Sequence, residues 1–134
     1  MKGRPSFSGA VATIPTPVRE ELVRRLEAHA AKHFKEACRR IEVRFRGPHA
    51  YVDAVVNHTW FMPGTTEEEK EEIRNAPVKL CRLTYLPGRR TWGFAFYKAS
   101  GDTYEPSMTM RGSFEGTPED CLDCAGFAYL RDVW

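Results

Sequence analysis

The stretch Val78 to Lys98, VKLCRLTYLPGRRTWGFAFYK, constrains the fold most, because it places two runs of strand-forming residues around one unambiguous turn. Pro87 fixes its own φ and Gly88 accepts a positive one, so the pair suits the centre of a tight type II turn between two extended arms. In the second arm Trp92, Phe94 and Phe96 alternate with Gly93, Ala95 and Tyr97. One face is bulky and suited to burial; the other is mostly small and open to close approach.

Upstream, Thr16-Pro17 reads as a helix start, with Thr16 as the cap and Glu20 and Glu21 opposing the positive end of the helix dipole. Leu22, Leu26, Ala30, Phe34 and Ala37 recur at helical spacing and form one apolar stripe. Glu20 with Arg24, Glu21 with Arg25 and Glu36 with Arg40 stand four apart, the order that pairs charge along a solvated face. From Ile41 the period changes to two. Ile41, Val43 and Phe45 alternate with Glu42, Arg44 and Arg46, as a strand with one wet face requires. Gly47-Pro48 turns the chain, and Tyr51 to Val56 returns as a second strand that His58 to Met62 could lengthen.

Residues 63–77 are rich in helix formers but almost lack an apolar stripe, so they read as an exposed helical insertion between strands. After the central hairpin, Ser100-Gly101-Asp102 turns the chain again. Tyr104 to Met110 is expected as a fifth, edge strand, since Pro106 cannot donate on both sides. Thr117-Pro118-Glu119-Asp120 opens a last helix that carries Cys121, Leu122, Cys124, Ala125, Ala128 and Tyr129 toward the core, with Gly126 permitting close packing. The fold class is α+β: an antiparallel sheet of four or five strands with the N- and C-terminal helices packed on one face.

The 134 residues, 42% of them hydrophobic, suffice for a single domain with its own core, with residues 1–12 expected to be flexible. No apolar run is long enough for a signal peptide or membrane span, so a cytoplasmic protein with reduced thiols and no membrane partner is expected. A net charge of +2 is too mild to imply a nucleic-acid partner by itself.

Cys121-x-x-Cys124 has the spacing of zinc and redox pairs, but Cys38 and Cys81 are isolated, and Glu119 and Asp120 oppose thiolate formation. Small core residues are the better reading. His29 and His33 stand one turn apart without an evident third ligand, so neither metal nor cofactor is expected. Cys81, His58 and Asp53 supply nucleophile, base and orienting group by type but in no recognisable frame, and no enzymatic class is assigned. Arg44, Arg46, Arg89, Arg90 and Lys98, with Tyr97 among them, offer a nucleic-acid surface of the cation-and-aromatic kind. The helix-strands-helix order resembles a double-stranded-RNA-binding domain, whose last helix begins with lysines; here it begins Glu119-Asp120. The preferred site is a mixed group on the hairpin and following turn: Arg82, Trp92, Tyr97, Ser100, Asp102, Tyr104 and Glu105.

Leu80-Cys81-Arg82-Leu83, Trp92-Gly93-Phe94-Ala95-Phe96-Tyr97, Ala99-Ser100, Asp102, Tyr104-Glu105 and Gly116-Thr117-Pro118-Glu119-Asp120 resemble segments of a family of small hypothetical bacterial proteins, mainly actinobacterial. That resemblance brings no activity, cofactor or site residue with it. The functional expectation is a non-catalytic module that holds a peptide, a protein surface or a small ligand at the central hairpin. A weak nucleic-acid-binding accessory protein is the alternative, and a small enzyme the third possibility.

Overall fold

A computed structural model describes residues 13–58 and 60–130, apart from the side chain of Tyr129; the segment 1–12 lies outside the described residues. The order is α1 (Thr16–His33), β1 (Cys38–Arg46), β2 (His49–Val56), α2 (Glu67–Asn75), β3 (Val78–Thr84), β4 (Trp92–Lys98), β5 (Thr103–Pro106), β6 (Glu115–Gly116) and α3 (Pro118–Tyr129). Strands β1 to β5 form an antiparallel meander in chain order, and β6 joins β4 on the same edge as β5. This is the α+β architecture read from the sequence. The fifth strand is shorter than the Tyr104–Met110 reading, because the chain leaves the ladder after Pro106 and regains β4 at Glu115.

The turn at Leu86–Arg89 closes with the Arg89 amide donating to the Leu86 carbonyl at 3.1 Å, with Gly88 at φ 78°. Such an angle at the third turn residue excludes most side chains, which is why glycine stands there. From this turn the pleat sends Trp92 and Phe94 into the core, with Phe96 packed against it. Leu83 and Cys81 stand opposite Phe94 and Phe96 and share their face, as do Val52 and Ala50 on β2.

Helices α1 and α3 cover this face. Leu22, Leu26, Ala30, Phe34 and Ala37 are all buried, and each leucine so placed contributes about 1.5–3 kcal/mol. The helix itself ends at His33, so Phe34 and Ala37 complete the stripe from the turn that follows. That early end separates Glu36 from Arg40, which pairs instead with Glu42 at 2.9 Å. At the other end Pro15, not Thr16, is the cap, and no side chain closes it. Ala128 is exposed, one position beyond the apolar face of α3.

The two helices run side by side in the same direction. Arg25 meets Glu119, and one turn later His29 meets Asp123 at 2.7 Å. Beyond these pairs a Cβ on Gly126 would lie 2.6 and 2.7 Å from two carbons of the Phe34 ring. Glycine is what lets α3 close on α1. Helix α2 is different in kind: Thr66 and Glu69 form a reciprocal capping box, and no residue of the helix is buried. Local capping holds its start, and Arg39 of β1 holds its end by donating to the Arg74 carbonyl at 2.7 Å and to Asn75 Oδ1 at 3.2 Å.

Gly126→Ala is expected to lower stability by about 1–3 kcal/mol despite alanine's better helix propensity, because the Phe34 ring must shift to admit the new methyl group. In a Phe34→Ala background the same change should become neutral or stabilising. Urea unfolding of the four proteins in this cycle measures the coupling, and equal costs in both backgrounds would refute the contact.

Candidate functional site

Strand alternation divides the residues singled out from the sequence between two faces. Trp92 points toward the helices, whereas Arg82 and Ala95, and Tyr97 and Tyr104, are paired across the opposite, outer face. Glu105 follows Tyr104 and turns away from it to pair with Lys98 at 3.3 Å. Ser100 is exposed in the turn. The seven residues therefore do not line one pocket. The alternative group divides likewise: Arg44 and Arg46 lie on the outer face, Arg89 and Arg90 at the hairpin turn, and Lys98 on the opposite side of β4 from Tyr97.

A cavity of 610 Å³ opens where the hairpin turn meets the first turns of α1 and α3. Val18 and Leu22 from α1, Trp92 and Tyr85 from the hairpin, and Pro118 from α3 give it an apolar lining. Trp92 and Tyr85 pack on one another with ring centroids 5.7 Å apart. The rim is charged: Glu21 and Arg25 on one side, Arg89 and Arg90 on the other. Three of the lining residues, Trp92, Arg89 and Arg90, belong to the candidate groups read from the sequence, but only the fold brings them beside α1.

Arg25 sets the shape of the rim. Its guanidinium donates twice to Glu119, from Nε at 2.8 Å and from Nη2 at 2.6 Å, while Glu21 stands farther off at 3.7 Å. The hydrogen bond to Glu119 holds the Arg25 pKa above its ordinary value, and the same bond holds the Glu119 carboxyl below its own. Arg89 is tied to Glu115, which also accepts from Thr91 Oγ1 at 2.9 Å. Arg90 is exposed and makes no ion pair among the described residues.

The outer face is organised by a buried carboxylate. Asp53 is 5% exposed and accepts from Arg44 Nε at 3.1 Å and Nη2 at 3.3 Å. Rings then step across the sheet: Tyr51 to Tyr104 at 5.1 Å and Tyr104 to Tyr97 at 5.3 Å. Tyr104 thus reaches from β5 across β4 and β3, over the small face where a partner was expected to approach. Burial, then the charge of Asp53, raises its hydroxyl pKa. Arg44 lies over Tyr51 and Lys79 over Tyr97, while Asp102, in a left-handed conformation at φ 49°, accepts from Tyr97 Oη at 2.8 Å and Lys79 Nζ at 3.1 Å. Those two bonds lower the Asp102 pKa.

The four cysteines are free and buried. Desolvation, followed by the charge of Asp120, pushes the Cys121 thiol up to about 12, and burial raises Cys81 and Cys124 as well. Neutral thiols are poor nucleophiles and poor metal ligands. His29 and His33 lie 4.5 Å apart between ring centroids, with Asp123 on His29. Among the described residues no group of three or more His, Cys, Asp and Glu could hold a metal ion, and no helix is long and apolar enough to cross a membrane. Comparison with protein-family models, with curated proteins and with solved structures finds no match. The geometry alone must therefore carry the functional argument.

Because the Glu119 pKa is depressed in the folded protein, its bond to Arg25 contributes stability that is complete above the ordinary glutamate value, about 4.3, and is lost as pH falls through the lower folded value. The melting temperatures of the wild type and Glu119→Gln should differ by a constant amount near neutral pH and converge in acid. A difference that persists unchanged in acid would contradict the assignment. The native thiols should react slowly with a disulfide reagent at mildly alkaline pH and rapidly in urea; a fast native thiol would contradict their burial.

Proposed function

We propose that this protein is a non-catalytic, cytoplasmic binding module that holds a small organic molecule in the cleft between the hairpin turn and the two helices. The observation that carries the reading is the 610 Å³ cavity with Trp92 and Tyr85 along its wall. Small-ligand sites occupy about 300–1,000 Å³ and combine apolar walls with a few convergent polar groups. Here the apolar part would take a flat, hydrophobic body. The charged rim would orient it, with Arg90 as the cation that no carboxylate among the described residues engages.

An anionic group at that rim would be met by Arg90; the start of α3 borders the cleft at Thr117 and Pro118, but Thr117 caps it and Glu119 and Asp120 already place negative charge there. A catalytic reading finds less support. Burial and local charge keep the thiols protonated, and the carboxylates beside the cleft are held as ion-pair partners of arginines, which suits recognition better than proton transfer.

Titration with 1-anilinonaphthalene-8-sulfonate, a flat apolar body bearing one anionic group, tests the reading. Saturable binding of one equivalent to the native protein is expected, weakened about tenfold or more by Tyr85→Ala and severalfold by Arg90→Ala, in line with about 1.4 kcal/mol per factor of ten. Tyr85 is half-buried and Arg90 exposed, so both variants should remain folded. Absence of saturable binding, or binding indifferent to both substitutions, would remove the cleft from consideration.

A further inference from the structure

The outer face of the sheet carries a surplus that the cleft does not explain. Among the described residues each of its carboxylates is already engaged: Asp53 by Arg44, Asp102 by Lys79 and Glu42 by Arg40. Two guanidiniums on that face are left over. Arg46 is exposed and forms no ion pair among the described residues, and Arg82 likewise lacks a carboxylate. Arg82 Nε is buried without a hydrogen-bond partner, and no acceptor among the described residues engages its guanidinium.

These cations stand among aromatic rings at strand spacing. One row across the sheet runs Arg44, Tyr51, Arg82, Ala95 and Pro106, and the neighbouring row begins with Arg46 and His49. A cleft of 350 Å³ opens beside Arg44, Arg46, Tyr51, Lys79 and Tyr104. The rings of Tyr51 and Tyr104 are half-buried, with Arg44 over one and Arg82, at 6.0 Å, over the other.

We propose that this face binds single-stranded nucleic acid, with phosphates taken by Arg46 and Arg82 and a base stacked on Tyr104. Arg82 couples the two contacts. A base that stacks on the exposed side of Tyr104 leaves the guanidinium on the ring's other side, which no carboxylate among the described residues engages, to a phosphate beside it. Stacking on aromatic rings is what holds single strands without regard to their sequence. A duplex fits poorly because its bases are not free to stack on the rings.

Fluorescence anisotropy with a labelled thymidine dodecamer and the corresponding uridine strand tests this. Binding between about 1 and 100 µM is expected at physiological salt, and a roughly fourfold rise in salt should weaken it about sevenfold, from two phosphates at a slope of about 0.7 each. Arg46→Gln with Arg82→Gln should abolish most of the binding. Arg46→Gln alone, at an exposed position, should weaken it severalfold even if the double variant folds poorly. Tyr104→Leu should weaken the strands while leaving any binding of inorganic phosphate unchanged. Lys32→Gln with Lys35→Gln, which removes the same charge from the helical side, should change nothing. No binding by the folded wild type at low salt, equal losses in the lysine variant, equal binding of a duplex, or displacement by poly-glutamate as effective as by unlabelled strand would each overturn the proposal. Competition by nucleoside monophosphate at strand-like concentration would reassign the face to a single phosphate group.

Discussion

The close approach of Phe34 and Gly126 governs the helical layer. The two helices share one face of the sheet because α3 leaves a gap in its surface where the turn that ends α1 presents a ring. Their aligned dipoles repel weakly along the whole contact. The pairs Arg25–Glu119 and His29–Asp123, one turn apart on both helices, put opposite charges across the same seam. Glu119 is especially well placed, since it also lies in the first turn of α3, where negative charge is favoured. Because α1 extends past the start of α3, the hairpin turn faces Val18 and Leu22 with no second helix between them. The cleft is the space this offset leaves.

The two faces of the sheet solve the same problem differently. On the inner face, aliphatic and aromatic side chains meet two helices. On the outer face, a buried Asp53 would be costly alone, and a bidentate arginine with tyrosine rings above it satisfies and covers the charge. That layer buries Val55 and Ala95 from the other side. It is a small polar roof, whose cations outnumber the acids they serve.

The alternation of β1, β2 and β4, the Pro87-Gly88 turn, the stripe of α1 and the Thr117 cap all follow from local rules, and the α+β sheet with two helices on one face was legible from them. The site was less legible, for specific reasons. Trp92 and Tyr97 are five residues apart on one strand, and Tyr104 and Glu105 are neighbours; parity alone assigns each pair to opposite faces, a signal present in the sequence but masked by their proximity along the chain. Lys79 is a harder case. Val52 faces Cys81 but Asp53 faces Lys79, so a bulge reverses the parity that simple alternation would give it. Arg25 had a plausible local partner in Glu21, which concealed the stronger bond to a residue 94 positions away.

Helix α2 closes on itself through Thr66 and Glu69 and sends no side chain into the interior. The crossing from β2 to β3 can therefore grow in the exposed first half of α2 at little cost, since the cost of a longer connection rises only with the logarithm of its length. A reporter peptide spliced between Glu68 and Glu72 would leave the cleft, the tyrosine roof and the helix seam as they are, giving the molecule a natural handle for immobilisation.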